Sequence, residues 1–305
     1  MKISGFFIIR NGTKFDYPYL ESLRSILPLV DEFVVCVGKS EDDTLHKIQD
    51  FSRTEGLGKI QIFQTVWPID LTGKLRDGQV LAEQTNLALE KCTGDWCFYI
   101  QADEVFHEDD LTALKSALVK YQADPSIEGL LFDYHHFYGS FDIEQYSRSN
   151  YRREVRVIKK SSGAQSVGDA QSFRKADGSK LSVASSGARI FHYGWVRTPQ
   201  AMKEKTFFMD QLYHGKPDPE KAAAGIPHTG ENYRYKKILG LRRFTGTHPA
   251  VMKARITAKN WHWDFENSPL VWTVRDAKKI LLDGFERLTG IRLFEYRSYR
   301  RAKAK

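Results

Sequence analysis

No stretch of this chain holds the roughly 18 consecutive apolar residues that mark a membrane-spanning helix, so a transmembrane helix is excluded. Cysteine is scarce. Cys36, Cys92 and Cys97 have no metal-like spacing. An odd count, with Cys36 and Cys97 inside apolar runs, excludes a disulfide-built scaffold and suits a reducing cytoplasm. There is no internal repeat and no low-complexity tract. Glycine is thin after the first apolar run, where RNGTKFDYP (residues 10–18) carries one, so a glycine-rich phosphate loop is absent there. The end of the chain is poor in acid: residues 231–305 carry 18 Lys and Arg against 7 Asp and Glu, in a chain of net charge +8. That tail favours an anionic partner, such as a nucleotide diphosphate, a lipid phosphate or an anionic membrane face. A nucleic acid is not expected.

What is present reads as an ordinary globular composition, 41% hydrophobic and 28% charged over 305 residues. The length allows one large α/β domain with an appendage, or two domains. The opening MKISGFFIIR has no small-residue cleavage site and reads as a strand, not a signal peptide. The organising stretch is GDWCFYIQADE, residues 94–104. Trp96 to Gln101 has the composition of a buried strand, and it delivers Asp103 and Glu104 at its carboxyl end. Paired carboxylates at the top of a parallel sheet can hold a divalent cation, and the cation a diphosphate. The plainer reading is a strand ending in a polar turn, with Asp103 capping the next helix.

Around that strand, the first hundred residues alternate. Strands are expected over 2–10, 32–37 and 60–67, and helices over 18–29, about 43–52 and 80–92. A further helix is expected over 109–121 and a strand over 129–138. Such alternation predicts a parallel sheet flanked by helices. Residues 139–190 hold short strand-like pieces, and the text is helical from Pro199, with a linker at Gly215–Gly230. The expected division is 1–198 (halves 1–138 and 139–198) and a helical basic extension, 199–305.

The order of these pieces resembles a family 2-type glycosyltransferase of the GT-A fold. FIIRNGTKFDYPYLESLRSIL, then DEFVVCVGKSEDDT, then LAEQTNLALEKCTGDWCFYIQADEVF match that family's strand–helix start, aspartate-rich nucleotide loop and D-x-D strand over roughly residues 3–138. The resemblance implies a Rossmann-like, mostly parallel sheet, a nucleotide-diphosphate sugar as donor, and Mn²⁺ or Mg²⁺ as cofactor. It implies that Ser40, Asp42 and Thr44 belong to the nucleotide loop, that Asn86 belongs to the polar pair before the metal strand, and that Gln101 and Asp103 stand at D-x-D. Two departures stand out: Val37 and Gly38 replace the loop's first acids, and Gln101 replaces the first acid of D-x-D. Asp103 and His192 are the expected metal ligands. Arg10, Lys74, Arg76 and Arg197 are candidate donor-binding cations, Arg197 to steady the diphosphate.

Inverting transfer needs a base near the acceptor hydroxyl. The candidates are Asp169, Glu154 and Asp133, with Asp169 in the turn-like VGDAQSF preferred. Aromatics over 132–151, with His135 and His136, suit stacking against a saccharide or lipid-linked acceptor, or core packing. A catalytically degenerate module that binds nucleotide, polyanion or membrane is the alternative reading. An apolar stripe in 270–288 (Leu270, Val274, Leu281, Phe285, Leu288) followed by a basic run leaves two options. It either packs on the catalytic domain or rests at the inner face of a membrane.

Overall fold

Two N-terminal runs, Ile3–Ile9 (β1) and Glu32–Gly38 (β2), are buried along their whole length. In the computed structural model, which describes residues 1–69, 77–148, 150–214 and 233–302, they lie parallel, with Phe6 opposite Val34 and Ile8 opposite Cys36. Helices α1 (Tyr19–Ile26), α2 (Thr44–Thr54) and α3 (Gln79–Lys91), with strands β3 (Ile60–Thr65) and β4 (Trp96–Tyr99), complete the alternation. The run β3-β2-β1-β4 is parallel throughout. Next come β5 (Glu104–Phe106), α4 (Leu111–Tyr121), β6 (Gly129–Tyr138), β7 (Ser140–Gln145) and β8 (Arg153–Lys159). They are followed by β9 (Gln165–Val167), β10 (Ser172–Arg174) and β11 (Ser182–Trp195).

Side chains alternate between sheet faces, and both faces are covered, which is why these strands read as unbroken apolar runs. Phe7, Ile9, Phe33, Val35, Trp96 and Phe98 pack with Leu23, Ile48, Phe51 and Leu118 on one side. Phe6, Ile8, Val34, Cys36 and Tyr99 pack with Val80 and Leu89 on the other. Each fully buried Phe contributes about 2–3 kcal/mol. The three cysteines are buried and unpaired.

Beyond β4 the sheet changes character. β8 runs antiparallel to both β4 and β6, while β11 runs parallel to β6 and antiparallel to β5. The C-terminal part holds α5 (Pro199–His214), β12 (Lys237–Ile238), β13 (Leu241–Arg243), α6 (Lys253–Thr257), β14 (Leu270–Val271), α7 (Val274–Thr289) and β15 (Arg300–Arg301). β13 pairs with β7 and β15 with β11, so residues after 198 add strands to the same sheet. The helix expected to start at Leu270 starts at Val274, where Thr273 and Asp276 form a capping box. The segment 215–230 expected as a linker lies outside the described residues.

Candidate active site

The strand β4 ends at Tyr99, two residues short of expectation, because the chain turns on Gln101. Glu104 N–H donates to the Gln101 carbonyl at 3.0 Å, and Gln101 N–H donates to Glu104 Oε2 at 3.1 Å. This turn sends adjacent acids apart. Glu104 is fully buried and accepts a fork from Arg156 at 2.8 and 2.7 Å, plus the Tyr134 hydroxyl at 2.8 Å. It has no capacity left for a cation, so the expected pair of carboxylates reduces to one. Asp103 instead lines a cavity of about 700 Å³, within the usual range for ligand sites.

Register delivers the other groups. Tyr193 N–H bonds the Asp103 carbonyl at 2.8 Å, and β11 sets His192 beside Glu104 on one side and His136 on the other. His192 Nε2 lies 3.7 Å from Asp103 Oδ2. Hydrogen bonding fixes its tautomer. His136 Nε2 sits 2.8 Å from the Tyr151 carbonyl, which can only accept, so that nitrogen carries the proton. Burial pushes His136 down to about 3, so the ring is neutral and its Nδ1 is bare. His192 Nδ1, 3.0 Å away, must therefore donate. Burial also lowers His192, leaving its Nε2 a lone pair that faces a carboxylate oxygen with no proton between.

That donor set fits a divalent cation. A carboxylate oxygen and a neutral imidazole nitrogen are ordinary Mn²⁺ ligands, and the far ring nitrogen of the histidine is anchored, as metal-bound histidines usually are. The space between them is kept by Gly194. A Cβ there would fall 2.5 Å from His192 Nε2 and 3.0 Å from Asp103 Oδ2. Among the described residues, the one cluster of three potential ligands lies elsewhere, at His107, Glu108 and Asp109. There His107 Nδ1 already accepts the Asp109 N–H at 3.2 Å.

Lys205, from α5, shares the site. Its Nζ is 3.3 Å from Asp103 Oδ2 and donates to the Gly194 carbonyl at 2.7 Å. Burial raises the Asp103 carboxyl, but Lys205, His192 and Arg197 outweigh it and hold the group at about 2. Lys205 moves the other way from its ordinary value for its charge state: burial and the Arg197 charge bring it down to about 7 against the pull of Asp103. The asymmetry follows from the surroundings: positive charges around Asp103 outweigh its burial, whereas for Lys205 burial and the Arg197 charge together outweigh the single anion, Asp103.

Arg10 lines the same cavity, stacks over Phe208 at 5.6 Å and leaves its buried Nε without a partner among the described residues. Trp67 and Phe208 form an aromatic wall 6.4 Å apart, and the buried Trp67 Nε1 is also unpartnered among the described residues. Trp67 explains Gly38. A Cβ at Gly38 would meet the indole Nε1 at 2.4 Å, so the ring packs directly against the backbone there and leaves no room for a side chain. Asp169 lines the cavity and accepts from the Tyr213 hydroxyl at 2.8 Å and from Gln171 N–H at 3.2 Å. Gln101 lines it too, with its amide donating to the Ala170 carbonyl at 3.3 Å.

Other expected residues among those described do not line this cavity. Ser40, Asp42 and Thr44 brace the loop after β1, accepting the N–H groups of Asn11, Lys14 and Thr13 at 3.0, 2.7 and 3.1 Å. Asn86 is spent on the backbone of Ser166. Arg197 is fully buried behind Tyr17, stacked on its ring at 4.6 Å and bonded to the Phe15 and Gly194 carbonyls, so it acts on Asp103 through charge rather than contact. Glu154 is buried and holds Ser172, Gln171 and Ser298, and Asp133 pairs with Arg153 outside the cavity. Lys74 and Arg76 lie outside the described residues. Sequence reading passed over Lys205, although Met202, Lys205, Met209 and Leu212 recur at helical spacing toward the cavity, a lysine in an apolar stripe.

No family profile matches the chain, and no curated protein is similar to it. Among solved structures, the chain is similar to the Staphylococcus aureus TarS 1–349 fragment in complex with UDP-GlcNAc (15% identity, 53% of this chain and 46% of that one, TM-score 0.34). It is similar also to glucosyl-3-phosphoglycerate synthase from Mycobacterium tuberculosis in complex with Mg²⁺ and UDP (15%, 55% and 60%, TM-score 0.35). A third is the mannosyltransferase PcManGT from Pyrobaculum calidifontis in complex with GDP-Man and Mn²⁺ (20%, 46% and 35%, TM-score 0.31). The chain spans about half the length of the TarS fragment, and likenesses at these TM-scores assign it neither family nor activity.

Proposed function

We propose that the chain is an inverting, divalent-cation-dependent glycosyltransferase that moves a sugar from a nucleotide diphosphate to an acceptor hydroxyl. The observation that carries this reading is the bare His192 Nε2 facing Asp103 Oδ2 across the gap kept by Gly194, inside a cavity that also holds an aromatic wall and a second carboxylate. Asp103 and His192 would hold the cation, which supplies positive charge to the diphosphate when bound. Trp67 and Phe208 offer faces to the nucleoside base, and the Nε of Arg10, unpartnered among the described residues, offers a donor beside them. Lys205 supplies a second cation for the charge that develops on the departing diphosphate. Asp169 takes the proton from the acceptor hydroxyl, and its hydrogen bonds from Tyr213 and Gln171 hold the carboxylate in one orientation. A saccharide or lipid-linked acceptor suits the His136, Tyr151 and Trp195 side of the cavity.

The test is a screen of nucleotide sugars for Mn²⁺-dependent hydrolysis and transfer by the full chain. Asp103→Asn should abolish both while leaving the far-UV spectrum unchanged, and turnover at the wild-type rate would remove the cation assignment. Nucleotide binding without turnover of any donor would favour the degenerate module instead, a reading supported by Gln101 in place of an acid.

A further inference from the structure

An amphipathic helix on a soluble domain normally turns its apolar stripe inward. α7 does the reverse. Asp276, Lys279, Asp283 and Glu286 recur at three- and four-residue spacing and form its half-buried side. Arg148 reaches Asp283 and Glu286 at 2.8 and 2.9 Å and the Leu282 carbonyl at 2.9 Å, and Arg152 also pairs with Glu286. The opposite stripe faces solvent: Val274 is 87% exposed, Leu281 75% and Leu288 89%, with Phe285 beside them. Lys278 lies 5.8 Å over the ring of Phe294, which is 84% exposed, so the apolar surface continues past the helix.

The charge left exposed along this segment is basic. Between 270 and 302 the acids are Asp276, Asp283, Glu286 and Glu295, and each is paired with a base. Lys278, Arg300 and Arg301 are exposed. We propose that the outward stripe of α7, with Phe294 and its exposed bases, is a docking face for an anionic lipid bilayer. An apolar stripe that enters the acyl boundary, rimmed by cations over anionic headgroups, is the pattern of an interfacial helix. A protein partner would have to cover the same apolar area but gives no reason for the excess of exposed bases in the segment. The helix is anchored to the site by the same arginines, because Arg148 and Arg152 flank the Asn150–Tyr151 segment that lines the cavity. Membrane attachment itself is independent of the chemistry proposed for the cavity, and flotation reads it without turnover.

The experiment is flotation of the full chain with phosphatidylcholine vesicles, with and without phosphatidylglycerol. The wild-type chain should float with the anionic vesicles only, and less as salt shortens the Debye length toward about 3 Å near 1 M. The double variant Leu281→Glu/Leu288→Glu should partition at least about tenfold less, since both positions are solvent-facing and the change removes apolar contact and adds repulsion. Val119→Glu, at an exposed apolar position on α4, should float as the wild type does. Unchanged melting temperatures show that the variants are folded. No flotation of the wild type, or equal flotation of the double variant, overturns the proposal. So does a dimer, seen by sedimentation without vesicles, that the double variant disperses, because that outcome assigns the stripe to a second copy of the chain.

Discussion

Gly194→Ala tests the cation gap without removing a donor. The added methyl would lie 2.5 Å from His192 Nε2, 2.6 Å from its Cε1 and 3.0 Å from Asp103 Oδ2. Ordinary contacts of carbon are about 3.5–4.0 Å, so the imidazole must move and the methyl fills what it leaves. Gly194 is not among the glycines in the left-handed region, so alanine is tolerated by the backbone itself. Overpacking costs about 1–3 kcal/mol, which lowers the melting temperature of the metal-free variant by a few degrees. The response to Mn²⁺ is a separate quantity. At one hundred times its dissociation constant, a cation that binds only the folded state adds about 2.7 kcal/mol, or roughly 5 °C for a chain of this length. In the variant that increment should fall below about 1 °C, equivalent to an affinity at least about a hundredfold weaker. Calorimetry with EDTA or MnCl₂ measures both quantities on the same samples. A variant that is destabilised but keeps the whole Mn²⁺ increment would refute the placement of the cation between Asp103 and His192.

Three further outcomes follow from single contacts. Asp169→Asn should keep donor affinity and lose transfer by about 10²-fold or more, as expected for a base used in the transition state; a variant that loses donor affinity but transfers normally at saturation would move the base elsewhere. Lys205→Met should lower turnover roughly a hundredfold with little change in donor KM, the pattern of a group that acts on developing charge, and a change in KM alone would argue against that role. Burial raises the Glu32 carboxyl, but hydrogen bonds from Lys2, Ser4 and Thr93 outweigh it and hold it at about 2, below its ordinary 4.5. The stability this contributes, about 2 kcal/mol after allowing for the half-exposed Lys2, is present above pH 4.5 and lost as pH falls toward 2, so Glu32→Gln should flatten the acid limb of a urea-denaturation series.

The first half of the fold is legible because its strands are buried on both faces and its helices on one. Ile3–Ile9 and Glu32–Gly38 are largely apolar runs, and the helices that follow them carry Leu23 and Ile26, and Ile48 and Phe51, at helical spacing. The second half is less so. β5 has three residues, and only its pairing with β11 makes it a strand. β11 is fourteen residues long, yet the sequence shows only Arg189–Tyr193, because the preceding SVASSG is held by its partner β6 rather than by apolar content. The stripe of α7 is plainly amphipathic in sequence, but periodicity does not say which side faces in. That is decided by Arg148 and Arg152, more than a hundred residues away.

The site shows the same division between residue type and direction. In QADE the sequence offers two adjacent acids, and charge alone makes them equivalent ligands. What separates them is Arg156, on a strand that sequence order places some fifty residues later: it neutralises Glu104 inside the sheet and leaves Asp103 to the cavity. The loop residues Ser40, Asp42 and Thr44 have the right types for a nucleotide loop, yet their oxygens are taken by the backbone of residues 11–14. With Gly38 closed over by Trp67, the proposed recognition of a base would fall to aromatic faces and to Arg10 instead of loop acids. His192 was legible as a donor, whereas its competence depends on a proton order set by His136 and Tyr151 from two other segments. Gly194 is the least legible of all. A glycine between tyrosine and tryptophan carries no motif, and what it supplies is the space that its missing side chain leaves between Asp103 and His192.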